Sequence, residues 1–466
     1  MADHSVVLGA GIAGLLAAAA LAEAGHNVTV VERDRLPDKP SQRRGVPQGP
    51  HLHSLLSRGW QTMEQLVPDL IDDVIAAGGH ALDGPRLGER MHIRNGPYAF
   101  NRTDPVADPA ALASYLVTRP LLEFALRARV AARPNVTIKD GHDTGELVAG
   151  QPDRITGVTI HDRRTGAVEA LDADLVVDAT GRATRTPMLM EKLGYERPPK
   201  RTFTVHGMYY SQLIAIPDQD AFPERLVLVV PAGGGGRGGL AVGEHGTWTL
   251  TIATHTGGHP TPPTTLDEMI ALAEEFAPPH IQPALRKAVP LSDVAVYRYP
   301  GGTWHRYDHC ARHPDGLLVI GDALCCLDPL QGQGVTMAAR HAHALHTHLR
   351  DHGAIDPQKF YQSLAHMIAP VWAANQPAES TTRRGVTEEV RHRVLQWGRH
   401  MILEAADDIV VTERLVRVVN MVDPPQRLLE PRLLARVTVH HLRRTLRFPV
   451  SGPCLKTNEA RRFTAR

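Results

Sequence analysis

The chain has 466 residues, of which 42% are hydrophobic and 22% charged, and its formal net charge is +1. This length favours two linked domains, and this composition is typical of a globular protein and excludes a wholly disordered chain. The near-neutral charge excludes the basic field that nucleic-acid binding needs, so we expect no nucleic-acid partner.

The sequence shows no sign of a membrane or secretory segment. Its longest nearly apolar stretch, Leu15–Ala24, contains Glu23 and is too short to cross a bilayer, so we expect no transmembrane segment. We also expect no signal peptide, because the N-terminus lacks a charged region followed by a cleavage site. The cysteines form neither a disulfide framework nor a CxxC zinc pattern, which favours a reducing cytoplasm and small apolar core roles for Cys310, Cys325, Cys326 and Cys454.

A complete strand–helix–strand unit opens the chain. Residues 5–8 predict a buried strand, residues 15–24 a helix that Gly25 ends, and residues 27–31 a second strand. The GxGxxG sequence lets the backbone approach a pyrophosphate, and the acid after the second strand is placed to accept a ribose hydroxyl. A tight turn without a ligand would leave that acid unexplained. The unit predicts a dinucleotide site built from Gly9, Gly11, Ala13, Gly14, Glu32 and Arg33.

Helices and strands continue to alternate up to about residue 182. The Gly and Pro content of residues 43–53 predicts a loop. The other predicted elements are, in chain order, a helix to about Leu66, a helix from Arg119 to about Ala132, and strands at 136–138, 155–161 and 174–178.

Residues 202–300 have a different pattern, with β-rich runs that predict an antiparallel sheet. The run from Gly233 to Gly239, interrupted only by Arg237, predicts a flexible hairpin loop; phosphate binding there is less favoured because no helix follows. The predicted elements are strands at 202–216, 226–231 and 247–254 and helices at 265–275 and 280–288.

A second nucleotide-type pattern follows residue 315. Residues 316–320 predict a buried strand that ends in Gly321-Asp322-Ala323, and residues 327–330 predict a bend. The sequence Gly332-Gln333-Gly334-Val335 opens a long helix to about Arg350, and the chain from 357 on is predicted to be mostly helical. Since no second GxGxxG follows a strand, we expect no separate NAD(P)H domain.

The GxGxxG with Glu32, the helix at Arg119 and the late Gly-Asp…Pro…Gly-Gln-Gly sequence resemble FAD-dependent monooxygenases of the para-hydroxybenzoate hydroxylase type. The resemblance covers roughly residues 1–355, and the loop Arg43 to His53 is similar to that of squalene-epoxidase-like bacterial enzymes. It implies an α/β fold in which a Rossmann-like FAD-binding domain is interleaved with an antiparallel β-sheet substrate domain, plus C-terminal helices.

The same resemblance implies a division of the chain. We expect a discontinuous FAD-binding domain at 1–75, 105–200 and 301–355, a substrate domain at 76–104 and 201–300, and a C-terminal helical region at 356–466. Within that region, the basic amphipathic stretch 436–447 could touch a membrane surface, although such a stretch is more often a solvated helix face packed on its own domain. The oligomeric state stays open.

Roles for the late motif and two arginines also follow from the resemblance. Asp322 would accept hydrogen bonds from the ribityl hydroxyls, and the helix N-terminus near 332–335 would stabilise negative charge at the flavin pyrimidine. Arg43 would lie beside the flavin and Arg119 near the ribityl and phosphate groups; a helix cap and a surface ion pair are the plainer alternatives for Asp322 and Arg119. The implied FAD contacts here are Arg43, Arg119, Asp322, Pro329, Gly332, Gly334 and Val335.

Two departures limit what the resemblance implies. Many relatives carry Asp-Gly after the strand at 174–178, where this chain has Ala179-Thr180-Gly181-Arg182, and this weakens the expectation of an NAD(P)H contact there. We therefore expect hydride to come from transiently bound NAD(P)H or from a separate flavin reductase. The residue usual after Gly-Asp-Ala is replaced by Leu324-Cys325-Cys326.

Enzymes of this type form a flavin C4a-hydroperoxide and transfer one oxygen atom to an electron-rich carbon or alkene. The resemblance implies hydroxylation or epoxidation of a small lipophilic intermediate, as in antibiotic biosynthesis and other secondary metabolism. Epoxidation needs no acid–base pair, whereas a base would help with a phenol. The sequence offers no unique catalytic residue; the candidates are His51, His53, His206, Tyr209 and Tyr210.

Other functions stay open. His51 and His53 are two residues apart and are not a persuasive metal pair, so we expect no metal site. A flavin-dependent reductase of a prenyl-type lipid would share the same FAD motifs. A flavin-dependent halogenase is less favoured, because the Trp-x-Trp-x-Ile-Pro stretch is absent around Trp248. A non-enzymatic flavin sensor or scaffold is the remaining alternative.

Overall fold

The computed structural model describes residues 3–150, 153–230, 236–254, 261–376, 398 and 400–447. The predicted features at Cys454 and at 448–466 lie outside these ranges. The strands are β1 His4–Leu8, β2 Asn27–Val31, β3 His80–Leu82, β4 Met91–Asn95, β5 Tyr98–Ala99, β6 Ser114–Leu116, β7 Val136–Lys139, β8 His142–Gly150, β9 Arg154–Asp162, β10 Val168–Asp172, β11 Leu175–Asp178, β12 Lys200–Ala215, β13 Leu226–Val230, β14 Gly236–Val242, β15 Thr247–Thr254, β16 Val289–Pro290, β17 Ala295–His305, β18 Leu317–Val319 and β19 Cys325–Cys326.

The helices agree with most of the predicted positions. They are α1 Ile12–Glu23, α2 Ser57–Leu66, α3 Leu70–Ala76, α4 Pro109–Leu112, α5 Arg119–Ala131, α6 Thr186–Lys192, α7 Leu266–Glu274, α8 Gln282–Leu285, α9 Gly334–His352, α10 Pro357–Asn375, α11 Ile409–Val419 and α12 Pro431–Arg447. No helix among the described residues is long and apolar enough to cross a membrane.

A five-stranded parallel sheet, in the order β18-β11-β1-β2-β7, forms the centre of the first half of the fold. Val6, Val7 and Val177 in its central strands are fully buried, as expected where helices cover both faces of a parallel sheet. Helix α1 is apolar on nearly every side because it lies between this sheet and α9. A smaller antiparallel sheet, β10-β9-β8, adjoins it.

The second large sheet follows the order β19-β17-β12-β15-β14-β13-β4-β5, with β16 paired to β12. Its pairs are antiparallel, as expected, except that β4 runs parallel to β13. Strand β17 continues to His305, past the domain boundary expected at 300/301, and its last residues pair with β19. The predicted architecture, an α/β domain interleaved with a second β-sheet domain and followed by C-terminal helices, is confirmed.

The glycine run predicted as a hairpin loop is wrong from residue 236 onward, because those residues form β14. This strand lies between β13 and β15 in the sheet. A Cβ at Gly238 would come within 1.8 Å of the Phe276 ring, so the missing side chain makes room for an aromatic ring. Close packing, rather than flexibility, explains these glycines.

The C-terminal helices have two different relations to the rest of the fold. Helix α10 belongs to the main core, where Phe360 and Trp372 are buried. Helices α11 and α12 form a separate small cluster that includes Val411, Leu433 and Val437. The prediction of a mostly helical C-terminal region is confirmed for its described residues.

Candidate flavin site

The first turn of the parallel sheet is shaped by its glycines. Gly9 has a φ of +98°, and a Cβ at Gly14 would lie 1.8 Å from the Gly9 carbonyl oxygen. A Cβ at Gly11 would instead meet no atom within 4 Å. Gly11 is the N-cap of α1 and makes no side-chain cap, so the first N–H groups of the helix stay available to an anion.

Glu32, at the end of β2, is tied to this turn. Its carboxylate accepts the N–H of Ala10 at 2.8 Å and the N–H of Asp34 at 2.9 Å, and the residue is buried. An ionised carboxylate has about four acceptor positions, so these two bonds and the contact with Arg43 described below still leave room for a ribose hydroxyl. Ala13, the remaining predicted contact in the turn, lies against the late motif described below.

Arg43 sits in a buried cluster of carboxylates. Its guanidinium lies 3.3 Å from Glu32, 3.2 Å from Asp34 and 2.5 Å from Glu123, and all four side chains are buried. Burial alone would lower the pKa of Arg43, but the charges of Glu123 and Glu32 outweigh it and raise that pKa. Arg43 therefore lies at the end of the site marked by Glu32, and its contact with the flavin stays a prediction.

The neighbouring arginine of the sequence prediction has a different environment. The Arg33 side chain is 58% exposed and approaches Asp34 only at 3.8 Å. Among the described residues, only this contact with Asp34 involves its guanidinium, so its predicted contact with the cofactor stays a prediction.

Arg119 begins α5 and is buried beside the Arg43 cluster. Its Nη2 lies 3.3 Å from Glu123, which thus bridges the two arginines. The Arg119 Nε is buried and has no partner among the described residues. An orphaned donor of this kind is what an anionic or hydroxyl-bearing ligand would satisfy. The plainer alternative of a surface ion pair does not fit, since the pair is buried.

The late motif packs directly on the first turn. Gly321, with a φ of +61°, is placed so that a Cβ would lie 2.7 Å from the Ala13 Cβ, and His341 on α9 accepts the Gly321 N–H at 3.1 Å. Burial raises the pKa of the adjacent Asp322, while the charges of Arg119 and Arg182 oppose that rise. Two motifs about 310 residues apart in the sequence therefore line one site.

The loop before α9 is held by buried polar contacts. Asp328 accepts the N–H of Leu330 at 2.9 Å and the hydroxyl of Tyr209 at 3.1 Å, and Asn375 on α10 accepts the Asp328 N–H at 3.1 Å. Pro329 begins a short turn that ends at Gly332. Helix α9 then begins at Gly334, before Val335, with no side-chain cap and with open space where a Cβ of Gly334 would lie.

The loop 43–53 connects the two ends of the site. His51, near its end, lies 2.7 Å from the Ser211 hydroxyl on β12, and its ring packs against Tyr209 and Tyr297 at centroid distances of 6.0 and 5.7 Å. His53 bonds only to the His51 carbonyl, at 2.8 Å, among the described residues. We call His51, Tyr209, Tyr297 and Tyr299 the aromatic wall.

Buried surroundings keep the aromatic wall uncharged. Burial lowers the pKa of His51 to about 4, and burial followed by the charge of Arg119 lowers that of His53 to about 3. Burial raises the pKa values of Tyr209 and Tyr299 well above the usual range of tyrosine. The Nε2 of His51 and the hydroxyl of Tyr299 are buried without a partner among the described residues.

Two sequence candidates do not reach this wall. Tyr210 is buried on the opposite face of β12, in the core with Ile214 and Trp248, because neighbouring residues of a strand point to opposite faces. His206 is exposed, next to an irregularity in the pairing of β12 with β17. The structure thus places neither residue in the aromatic wall.

Sequence reasoning missed several residues of the site. The Arg182 guanidinium lies 5.2 Å from the centre of the Tyr299 ring and donates to the Gly301 carbonyl at 2.6 Å and to the Cys326 Sγ at 3.4 Å. The spacing of Tyr297 and Tyr299 was a signal in the sequence, because residues two apart in a strand lie on the same face. In the segment after β11, Asp178 accepts hydrogen bonds from the hydroxyls of Thr180, Thr184 and Thr186.

These residues fit a dinucleotide flavin. The glycine turn and free α1 N-terminus suit a pyrophosphate, Glu32 suits a ribose, the orphaned Arg119 Nε and Asp322 suit the ribityl–phosphate region, and the uncapped α9 N-terminus suits an electron-rich ring edge. Within the described ranges, no group of three or more His, Cys, Asp or Glu residues is arranged to hold a metal ion.

Comparison with known proteins agrees with this geometry. Residues 4–353 match the FAD binding domain family. The chain is 33% identical over 461 residues to protein Rv3254 of Mycobacterium tuberculosis, covering 95% of this chain and 94% of that protein. The chain therefore belongs to the FAD-binding domain family, which confirms the resemblance, the FAD cofactor and the prediction of an FAD-dependent oxidoreductase.

Solved structures share the fold at low sequence identity. PqsL of Pseudomonas aeruginosa, described as a probable FAD-dependent monooxygenase, has a TM-score of 0.59 at 16% identity, over 88% of this chain and 98% of its own. The flavin-dependent brominase Bmp2 has a TM-score of 0.60 at 14% identity, over 96% of this chain and 100% of its own. Identity this low shows the fold alone, so the match does not favour the halogenase alternative.

We expect Asp322→Ala to weaken FAD binding by a factor of about 5 to 150. Removing this charge-assisted acceptor would leave buried ribityl hydroxyls of FAD unpaired, at a cost of roughly 1–3 kcal/mol. Titration of the apoprotein with FAD, followed by fluorescence quenching, measures the change. Asp315→Ala is the control, since Asp315 is exposed at the other end of β18. An Asp322 variant that binds FAD like the parent would show that Asp322 is only part of the turn.

Buried neutral histidines predict a stability that falls with acidity. The His341 side chain is fully buried, and its pKa is lowered from 6.5 to about 3 by burial first and then by Arg340. The unfolded chain therefore binds a proton below pH 6.5 that the folded chain does not, and stability is lost as the pH falls through that window. The expected loss between pH 7.5 and 5.5 is up to about 1.4 kcal/mol for this histidine.

Denaturant unfolding of parent and His341→Asn at these two pH values tests this. Asparagine keeps an acceptor for the Gly321 N–H but does not titrate, so its pH dependence should be weaker than the parent's. His366→Asn, an exposed position on α10, should leave the dependence unchanged. Equal pH dependence in parent and His341→Asn would refute the assignment.

Proposed function

We propose that the protein is an FAD-dependent monooxygenase that inserts one oxygen atom from O₂ into a small lipophilic intermediate of secondary metabolism, by hydroxylation or epoxidation. The observation that carries this proposal is the aromatic wall, which reaches the loop before α9 through the 3.1 Å hydrogen bond from Tyr209 to Asp328. A buried wall without charge at neutral pH suits an apolar substrate and keeps water away from the flavin.

The roles of the residues follow from their positions. When bound and reduced, FAD supplies the activation of O₂ for oxygen transfer. The α1 N-terminus, Glu32, Arg119 and Asp322 hold the cofactor, and the α9 N-terminus stabilises negative charge on its reduced ring. The tyrosines of the wall position the substrate. The unpartnered His51 Nε2 hydrogen-bonds a substrate oxygen. Because the pKa of His51 is lowered, its imidazole is neutral, and this is compatible with epoxidation, which needs no acid.

The cofactor itself is the first test. We expect the purified protein to carry FAD rather than FMN, because the glycine turn and Glu32 form a site for the adenosine half. Heat extraction of the chromophore and chromatography against both standards identify it. Recovery of FMN, or no uptake of FAD by the apoprotein, would contradict this expectation.

Oxygen incorporation tests the reaction. The enzyme is supplied with ¹⁸O₂, a panel of apolar alkenes and phenols, and NADH, NADPH or a separate flavin reductase as the source of hydride. We expect one ¹⁸O atom in the product and oxygen consumption that depends on substrate. A product formed equally well without oxygen would assign the protein to the prenyl-lipid reductases instead, and label from water alone would also reject oxygen insertion.

A further inference from the structure

The C-terminal part of the described chain exposes an unusual amount of apolar surface. Of eleven large hydrophobic side chains that are prominently exposed among the described residues, six lie between Val410 and Leu442. Three of them, Leu434, Val439 and Leu442, are on the single helix α12 and are 40%, 45% and 52% exposed. Clustered exposed apolar side chains mark an interaction surface more often than isolated ones do.

Helix α12 has two apolar faces rather than one. Leu433 and Val437 are buried against the cluster formed with α11. At about 100° per residue, Leu434, Ala435, Thr438, Val439 and Leu442 share an outward arc of about 140° on the other side of the helix. These five residues are exposed, and we call them the outer face. The inner face accounts for packing on the cluster with α11, whereas the side chains of the outer face are exposed to solvent.

The charges on α12 are of one sign. Residues 431–447 contain five arginines and neither Asp nor Glu. The acids packed against the helix pair with three of its residues outside the outer face. Asp408 pairs with Arg436 at 2.6 Å, Asp407 with His440 at 2.8 Å and Glu404 with His441 at 2.8 Å. Arg432 and Arg443 fall beside the outer face and have no ion-pair partner within the described ranges.

We propose that the outer face of α12 docks the protein on the surface of an anionic lipid bilayer. An apolar arc with Arg432 and Arg443 along one edge matches the boundary between acyl chains and negatively charged headgroups, where an amphipathic helix lies in the plane of the membrane. A second copy of the chain fits less well, because two outer faces in contact would bring arginine rows together with no acid on either helix. Docking of this kind would place the enzyme where lipophilic molecules concentrate.

Vesicle co-sedimentation of the full-length holoprotein tests this proposal. We expect binding to vesicles of phosphatidylcholine with phosphatidylglycerol, little binding to phosphatidylcholine alone, and weaker binding at high salt. The variants Leu434→Gln/Leu442→Gln and Arg432→Gln/Arg443→Gln should each lower partitioning by about tenfold or more. Val168→Gln, at an exposed apolar position on β10, is the control and should bind like the parent.

A failure of membrane docking can be distinguished from a failure of the proposed reaction, because vesicle binding is measured without turnover. Retained FAD and an unchanged unfolding temperature in the variants show that they fold. The proposal is overturned if the parent ignores anionic vesicles, or if both double variants bind them as the parent does. A parent that sediments as a dimer without binding vesicles, and a Leu434→Gln/Leu442→Gln variant that is monomeric, would instead assign the outer face to a second copy of the chain.

Discussion

Arg43→Ala is expected to destabilise the protein by about 3–5 kcal/mol and to abolish tight FAD binding. The Arg43 guanidinium is the shared partner of Glu32, Asp34 and Glu123, all of them buried. Without it, the remaining carboxylates repel one another in a place where water cannot screen them. Glu32 would then be displaced from the turn that binds the cofactor.

Denaturant unfolding of the apoprotein separates this loss of stability from the loss of FAD. Arg33→Ala is a matched control, since it removes the same charge ten residues earlier from a side chain that is 58% exposed, and we expect a change below about 0.5 kcal/mol. An Arg43→Ala protein as stable as Arg33→Ala would refute this account of the cluster.

The sequence predicts well those parts of the site whose structure depends only on a short segment of the chain. The turn between β1 and α1 needs only its three glycines, the helix after them and Glu32, and the structure has each of them in place. Strand β15 coincides with the predicted residues 247–254 because its residues alternate in a pattern that suits only a strand.

Other parts depend on contacts with distant residues. Tyr209 and Tyr210 are adjacent and both buried, so alternation alone cannot show which one faces the flavin site; the pairing of Tyr209 with Tyr297 decides it. The glycines of β14 can be understood only once Phe276 is seen to fill their space. Asn375 gave no signal, because nothing near it in the sequence relates it to Asp328.

The position of Arg43 illustrates the same limit at longer range. The loop 43–53 is predicted from its glycines and prolines, but its path is not. Its first part is drawn to Glu32 by charge, while His51 packs on β12 through Ser211. The path of the loop is therefore set by contacts with residues far away in the sequence, which the loop's own residues do not reveal.

Replacing Gly14 and Gly11 by alanine should give opposite results, although both belong to the same motif. A Cβ at Gly14 would lie 1.8 Å from the Gly9 carbonyl oxygen, far inside van der Waals contact, and the backbone on both sides is fixed by β1 and α1. We expect Gly14→Ala to lose several kcal/mol of stability, since a buried turn that cannot relax is among the few changes with effects above about 4 kcal/mol.

Gly11→Ala should instead fold normally and bind FAD poorly. Gly11 has a φ of −75°, which any residue can adopt, and a Cβ there would meet no protein atom within 4 Å. The space it would enter lies over the α1 N-terminus, where the pyrophosphate is expected. Unfolding of the apoprotein and titration with FAD measure the two properties separately. If Gly11→Ala binds FAD like the parent, the open space at Gly11 is not part of the cofactor site, and the pyrophosphate must be held elsewhere.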